Sequence, residues 1–262
     1  MKIASWNVNS LKVRLPQVLN WINLNKVDVL CLQETKQNND SFPHNVFEKN
    51  GLFSYHNGQN TYNGVAIISK KELIDIKFDI PNFNDEQKRL ISGIYMNGNN
   101  RYRIFSAYIP NGQNLNSEKF EYKVNWLDSF LSYIKKKEKN VENIITGDFN
   151  IAPTRLDCYE SKTWGKKILT SPLEREYFNK FLKFGYIDTY RNLNPKNIEF
   201  SWWDYRIPLE RNLGMRIDHI LLSKKLFPLL KKTYIDKSTR SLERPSDHVP
   251  VVSELDLNSQ LF

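Results

Sequence analysis

Asp148 and Asn150 stand two residues apart in Ile144-Ile145-Thr146-Gly147-Asp148-Phe149-Asn150-Ile151-Ala152-Pro153. An apolar run ends there in Gly, then an acid and an amide, then Pro. In an extended chain, residues i and i+2 point to the same face. A carboxylate and a carboxamide are therefore presented side by side at a strand end. The carboxylate can hold a metal or take a proton from water. The amide can orient that water without adding negative charge. The pairing suits phosphate chemistry. Gly-Asp-x-Asn also makes ordinary turns, so its weight comes from the company it keeps.

Other apolar runs end in polar groups of the same kind. Asn7 and Asn9 close the run at Trp6-Asn7-Val8-Asn9. Glu34 follows Leu32-Gln33, and a carboxylate just past a buried strand is a natural ligand for a hard cation. Tyr108 and Asn111 lie in Tyr108-Ile109-Pro110-Asn111-Gly112. Asp218 opens Asp218-His219-Ile220, and Asp247 and His248 open the last apolar run. Each alone is an ordinary solvated turn. Together they supply what cation-dependent phosphodiester cleavage needs: oxygen ligands, Asp148 as a base for water, and His248 for the phosphate oxygens. An Asp beside His248 would fix its tautomer and favour the imidazolium.

These groups need strands to position them. Apolar runs predict strands over Lys2–Val8, Val27–Gln33, Gly64–Ser69, Leu90–Met96, Tyr102–Tyr108, Asn143–Thr146, Ile217–Leu222 and Val249–Leu255. Asn97-Gly98-Asn99-Asn100 joins two of them as a hairpin. Pro16–Asn25, Ser117–Lys139 and Leu173–Phe184 read as amphipathic helices. Pro16 falls in the first turn of one, and Ser171-Pro172-Leu173-Glu174 is a capping box for another. Hairpins flanked by helices give an α/β chain without regular alternation. The expectation is a single domain over residues 1–262 with mixed sheets face to face and helices outside.

The 262 residues are 40% hydrophobic and 13% aromatic, ample for a sizeable core. Lys and Arg number 38 against 29 Asp and Glu, a net charge of +9 that favours polyanionic partners, nucleic acid first. Cys31 and Cys158 form no metal-ligand spacing, and Cys31 reads as a core residue. A reducing, cytoplasmic setting is expected. No apolar run approaches the roughly 18 residues of a membrane span, and no leader-like segment follows Met1-Lys2.

Ordered along the chain, these stretches resemble the exonuclease III family of abasic-site endonucleases, within the DNase I-like endonuclease/exonuclease/phosphatase superfamily. The shared stretches are Trp6-Asn7-Val8-Asn9, Leu32-Gln33-Glu34-Thr35-Lys36, Asn63-Gly64-Val65-Ala66, Tyr108 to Gly112, Gly147 to Pro153, Phe200-Ser201-Trp202-Trp203-Asp204-Tyr205-Arg206, Arg216-Ile217-Asp218 and Ser246-Asp247-His248. Gly-Asp-x-Asn and Ser-Asp-His are common to the superfamily. The Leu-Gln-Glu-Thr-Lys, Trp-Trp-Asp-Tyr-Arg and Arg-Ile-Asp stretches mark the DNA-repair branch. Ser10 departs from the pattern, standing where Gly is common.

The resemblance implies a four-layer α/β sandwich and Mg²⁺, with Mn²⁺ as an alternative. It implies a cation held by Glu34, with Asn7, Asp148, Asn150, Asp247 and His248 near it. The implied catalytic set is Tyr108, Asp148, Asn150, Asp218 and His248, with Asp218 pairing His248. It leaves open which of Asp148, Tyr108 or a metal-bound water makes each proton transfer. The implied DNA contacts are Lys36, Asn111, Trp202, Arg206, Met215 and Arg216, with Trp202 walling a pocket for a flipped-out abasic sugar. The implied substrate is duplex DNA carrying abasic sites, met by a monomer that needs no membrane. Other superfamily phosphodiesterases, or a non-catalytic DNA-binding module, are the alternatives.

Overall fold

The computed structural model describes residues 1–136, 138–160, 164 and 167–258. The first sheet contains β1 (Lys2–Asn7), β2 (Val29–Gln33), β3 (Phe53–Asn57), β4 (Val65–Ser69), β13 (Leu230–Ile235) and β14 (Val251–Leu255). Its order is β13-β14-β1-β2-β4-β3. The second contains β5 (Ile74–Phe78), β6 (Leu90–Asn97), β7 (Asn100–Tyr108), β8 (Val141–Asp148), β9 (Tyr186–Asp188) and β12 (Asp218–Ser223), ordered β5-β6-β7-β8-β12-β9. β1 and β2 are parallel, as are β7 and β8; the other pairs are antiparallel. A short ribbon, β10 (Trp202–Trp203) with β11 (Gly214–Met215), stands apart.

Strand alternation decides the layers. Ile3, Cys31 and Ile67 face Ile91, Ile104, Ile144 and Ile220 across the space between the sheets. The next residues along, Ala4, Trp6, Leu30 and Leu32, turn outwards onto α1 (Leu11–Asn25) and α2 (His44–Lys49). Phe105, Ile145 and Leu221 turn outwards onto α3 (Glu118–Lys135) and α4 (Pro172–Lys183). A short α5 (Thr189–Leu193) follows β9. The expected four-layer sandwich of two mixed sheets with outer helices is what the chain forms, and Cys31 lies in its core as expected.

The differences from expectation are local. α1 starts at Leu11, so Pro16 lies inside it rather than in its first turn. α3 ends at Lys135 rather than Lys139, and Lys137 lies outside the described residues. β3, β5, β9, β10, β11 and β13 were not expected. β5 and β13 mix exposed polar residues into short edge strands, with register irregularities at Ile74/Lys77 and Leu230/Lys232, so no clean period marks them. The hairpin at Gly98 and the capping box at Ser171 and Glu174 form as expected.

Candidate active site

Strand direction gathers the polar groups at one edge. β1 and β2 run in parallel and end together, with Asn7 opposite Gln33, so Glu34 emerges beside Asn7. β7 and β8 likewise end together, with Tyr108 opposite Asp148. β12 runs the other way, so its first residue, Asp218, lies opposite Asp148. β14 opposes β1, with Val251 opposite Ser5, which brings the preceding Asp247 and His248 to the same edge. Gly147 lets β8 come close to β7: a Cβ there would meet the Ala107 carbonyl oxygen at 1.9 Å.

The two sheets meet through Asn7. Its Nδ2 donates to Glu34 Oε1 at 2.9 Å and to Asp148 Oδ2 at 3.0 Å. Tyr108 donates its hydroxyl to Glu34 Oε1 at 2.9 Å. Lys36 Nζ lies 2.9 Å from Glu34 Oε2 and also donates to Asn9 Oδ1. Burial opposes the Glu34 charge, but Lys36 and the Asn7 amide outweigh it and hold the carboxyl below its usual range. Burial, then Glu34, push the Tyr108 phenol well above its usual range, so it stays a donor. The Arg89 guanidinium covers the Tyr108 ring at 4.7 Å.

On the other side, His248 Nδ1 lies 2.8 Å from Asp218 Oδ2 and its Nε2 lies 3.7 Å from Asp148 Oδ2. Burial works against a charged ring, but Asp218 and Asp148 overcome it and raise His248 to about 10. Burial raises Asp148 to about 7, against the pull of His248. The Asn150 amide N–H donates to Asp148 Oδ1 at 2.9 Å. The Asn150 side chain accepts from Asn111 Nδ2 at 2.9 Å and donates to the Ile109 carbonyl at 3.0 Å. Asp247 accepts from Asn9 Nδ2 and Trp202 Nε1, each at 3.0 Å. Trp202 is half-buried, its ring 6.4 Å from that of His248.

The donor set fits a hard divalent cation. Glu34, Asp148 and Asp247 offer carboxylate oxygens and no thiol stands among them; Asn7 faces Glu34 and Asp148 with its Nδ2, while its Oδ1, with a second lone pair to offer, accepts from Asn9 N–H at 3.0 Å. Among the described residues, Asp218 Oδ1 is buried without a hydrogen-bond partner. Asp148, Asp218 and His248 also bring ligand atoms within 4.8 Å of one another, a spacing a cation could bridge. That spacing equally describes two carboxylates around a charged imidazole, and the His248 shift favours this reading. An imidazolium has no lone pair for a metal, so His248 can serve as the expected ligand only as the neutral ring.

The expected DNA contacts divide. Lys36, Asn111 and Trp202 lie at the site, and Arg206 is exposed, forked with Asp204. Arg216 and Met215 do not fit the expectation. The Arg216 guanidinium is fully buried, with Nε 2.7 Å from Asp157 and NH2 2.8 Å from Asp188. Met215 packs with Ala152, Cys158 and Ile217. Pairing of β11 with Trp202 and Cys158 turns this segment inwards, where no phosphate can reach it. Sequence reasoning missed Arg89 beneath Tyr108 and Lys123 behind the Asn111–Asn150 pair. Only Lys123 left a signal, a lysine three residues from Phe120 on the apolar face of α3.

Residues 4–248 match the Endonuclease/Exonuclease/phosphatase family. Exodeoxyribonuclease III of Haemophilus influenzae is 35% identical, over 97% of this chain and 99% of its own length. A 3′ phosphatase from Neisseria bound to a product DNA hairpin superposes with a TM-score of 0.93 at 41% identity, covering 98% of this chain and 99% of its own. An AP endonuclease from Archaeoglobus fulgidus gives a TM-score of 0.92 at 33% identity, covering 98% of this chain and 100% of its own. With the sandwich, the strand-end cluster and these relatives in agreement along nearly the whole chain, the protein belongs to the Endonuclease/Exonuclease/phosphatase family, in its exonuclease III branch.

Proposed function

We propose that this DNA-repair nuclease hydrolyses the phosphodiester 5′ to abasic sites in duplex DNA, leaving a 3′-hydroxyl, with Mg²⁺ as its cation. The observation that carries the reading is the placement of Asp148 between Asn7 and His248 at the joined strand ends. Asp148 accepts the proton of the attacking water; burial brings it to about 7, near the pH at which it must act. The Asn150 backbone N–H and Asn7 amide fix the orientation of that carboxylate. His248, held charged by Asp218, donates to a non-bridging phosphate oxygen as charge grows there. Tyr108 stays a neutral phenol and serves as a hydrogen-bond donor, not a base. Glu34, Asn7 and Asp247 would hold the cation, which supplies Lewis-acid polarisation of the phosphate and stabilises the leaving oxygen. Trp202, anchored to Asp247, offers an aromatic wall that a collapsed abasic sugar can meet and a paired base cannot. Lys36 and Arg206 supply phosphate contacts.

A second activity at the same site is favoured by the relatives. The Neisseria protein is a 3′ phosphatase and the Haemophilus protein an exodeoxyribonuclease. Removal of 3′ blocking groups and 3′→5′ trimming use the same in-line attack on a phosphate next to a 3′ oxygen. A labelled duplex with one stable abasic analogue, incubated with Mg²⁺ or with EDTA, separates these. One Mg²⁺-dependent cut 5′ to the lesion supports the endonuclease reading. A ladder from the 3′ end, or release of a 3′ phosphate without internal cutting, makes end processing the main activity. No cleavage of any kind sinks both.

A further inference from the structure

Lys123 lies on α3 with its side chain fully excluded from solvent. Its ammonium donates to three acceptors: the Asn150 carbonyl at 2.8 Å, the Asn111 carbonyl at 3.2 Å and Glu174 Oε1. Each of its N–H groups thus has a partner. Glu174 is equally saturated. Its Oε1 also accepts from Leu169 N at 3.0 Å, and its Oε2 accepts from Ser171 N at 3.0 Å and Ser171 Oγ at 2.7 Å. The carboxylate that caps α4 therefore also fixes the lysine. The chain closes tightly over the lysine stem at Gly112, where φ is +87° and a Cβ would lie 3.1 Å from Lys123 Cδ. A buried ion pair of this sort is rarely retained for stability alone, because desolvation offsets most of its attraction.

Its position suggests what else it does. Asn111 and Asn150 sit on separate loops, after β7 and after β8, and their amides touch at 2.9 Å. Lys123 holds both loops by their backbone at those same two residues. We propose that the Lys123–Glu174 pair is a positioning device for the reaction. It clamps the two loops so that the Asn111 and Asn150 amides hold a single arrangement beside Asp148. The inference rests on the active-site reading above. The pair touches neither the phosphate nor the cation ligands' side chains; it acts through the loops.

Lys123→Met keeps the length of the side chain and removes all three donors. We expect single-turnover cleavage of abasic duplex with Mg²⁺ to slow by about 10- to 100-fold, with DNA affinity within about twofold of wild type, since misplacement of reacting groups affects the chemical step. Lys123→Arg keeps the charge and should recover part of the rate. Wild-type turnover in folded Lys123→Met, or a loss confined to DNA affinity, overturns the proposal. Should Lys123→Met not fold, Lys123→Arg decides alone: a folded protein with wild-type turnover leaves the pair purely structural, and a slower one at unchanged affinity supports it. Side-chain amide resonances of Asn111 and Asn150, recorded without DNA, give a readout independent of substrate. Shifted or broadened signals in the variants support the clamp, and unmoved signals overturn it, whichever DNA the wild-type enzyme cuts.

Discussion

Asp148 carries the heaviest chemical load of any single residue here, since it faces both the Asn7 amide and the His248 ring. Asp148→Asn keeps the shape and the Asn150 N–H contact but cannot take a proton. Single-turnover cleavage should fall by about 10²- to 10⁴-fold while DNA affinity holds or rises, because a negative charge near the phosphate is lost. An Asp148→Asn enzyme with wild-type turnover would remove Asp148 from the mechanism. The neighbouring turn tests conformation instead of chemistry. Ser10 sits at φ +91°, in a region L-residues rarely adopt. Ser10→Gly should raise unfolding free energy by about 1 kcal/mol in urea titrations, and an equal or lower stability would show that no strain is stored there. Asp148, Glu34 and His248 were legible in the sequence because each is a polar residue just outside an apolar run. Lys123 was hard to read for the opposite reason. Its partners are two backbone carbonyls and a glutamate on another helix, and no spacing in the sequence encodes such a meeting.

At the scale of elements, strands with continuous apolar runs were legible and edge strands were not. Burial on both faces leaves β1, β2, β4 and β8 nearly free of polar interruption, whereas β5 carries exposed Asp75, β13 exposed Lys231 and Lys232, and both have broken registers. The start of α1 misled because proline favours a first turn, yet Pro16 is accommodated farther in. Arg216 misled more seriously. An arginine flanking a site in a basic protein reads as a phosphate contact, but here it staples β11 and β12 to Asp157 and Asp188. The two arginines therefore separate by experiment. Arg216→Met leaves buried Asp188 without its arginine and Asp157 with Arg191 as its remaining one, and should cost about 3–5 kcal/mol of stability in urea unfolding. The folded fraction should bind DNA with wild-type affinity and salt dependence. Arg206→Ala should leave the unfolding midpoint unchanged and weaken DNA binding, lowering the slope of log affinity against log salt by about 1. Exchange of these two outcomes would reinstate Arg216 as the DNA contact.

At the scale of the whole molecule, the site exists only because two sheets end on one edge. Each supplies part of the charge: Glu34 and Asp247 come from the first, Asp148 and Asp218 from the second. The same packing buries two further imidazoles, and this makes the fold acid-sensitive. His219 is fully buried; its Nδ1 accepts from Arg216 NH1 at 3.0 Å and its Nε2 donates to the Ile151 carbonyl at 2.9 Å. Only the neutral ring satisfies both contacts. Burial, then the Arg216 charge, lower it to about 4 from an ordinary 6.5. His56, bonded to Thr35 and stacked 4.0 Å from Phe42, is lowered by burial to about 3. Between those values and 6.5 the unfolded chain binds protons that the folded chain refuses, so stability rises with pH across that window and falls as pH drops through it. For His219 alone the loss approaches roughly 3 kcal/mol by about pH 4. Asp157 and Asp188, held below the usual carboxylate range by Arg216 against the effect of burial, add a second loss at lower pH still. Asp148, raised to about 7, works the other way across the same window, so thermal unfolding followed from pH 7 to 4 should show a net decline beginning near 6.5 that is shallower than the two rings alone would give. Ring signals of His219 in NMR spectra should stay those of the neutral Nε2–H tautomer down to about pH 5. A His219 that titrates near 6.5 in the folded protein, or a melting temperature flat from pH 7 to 5, would show that these buried rings do not set the acid limit.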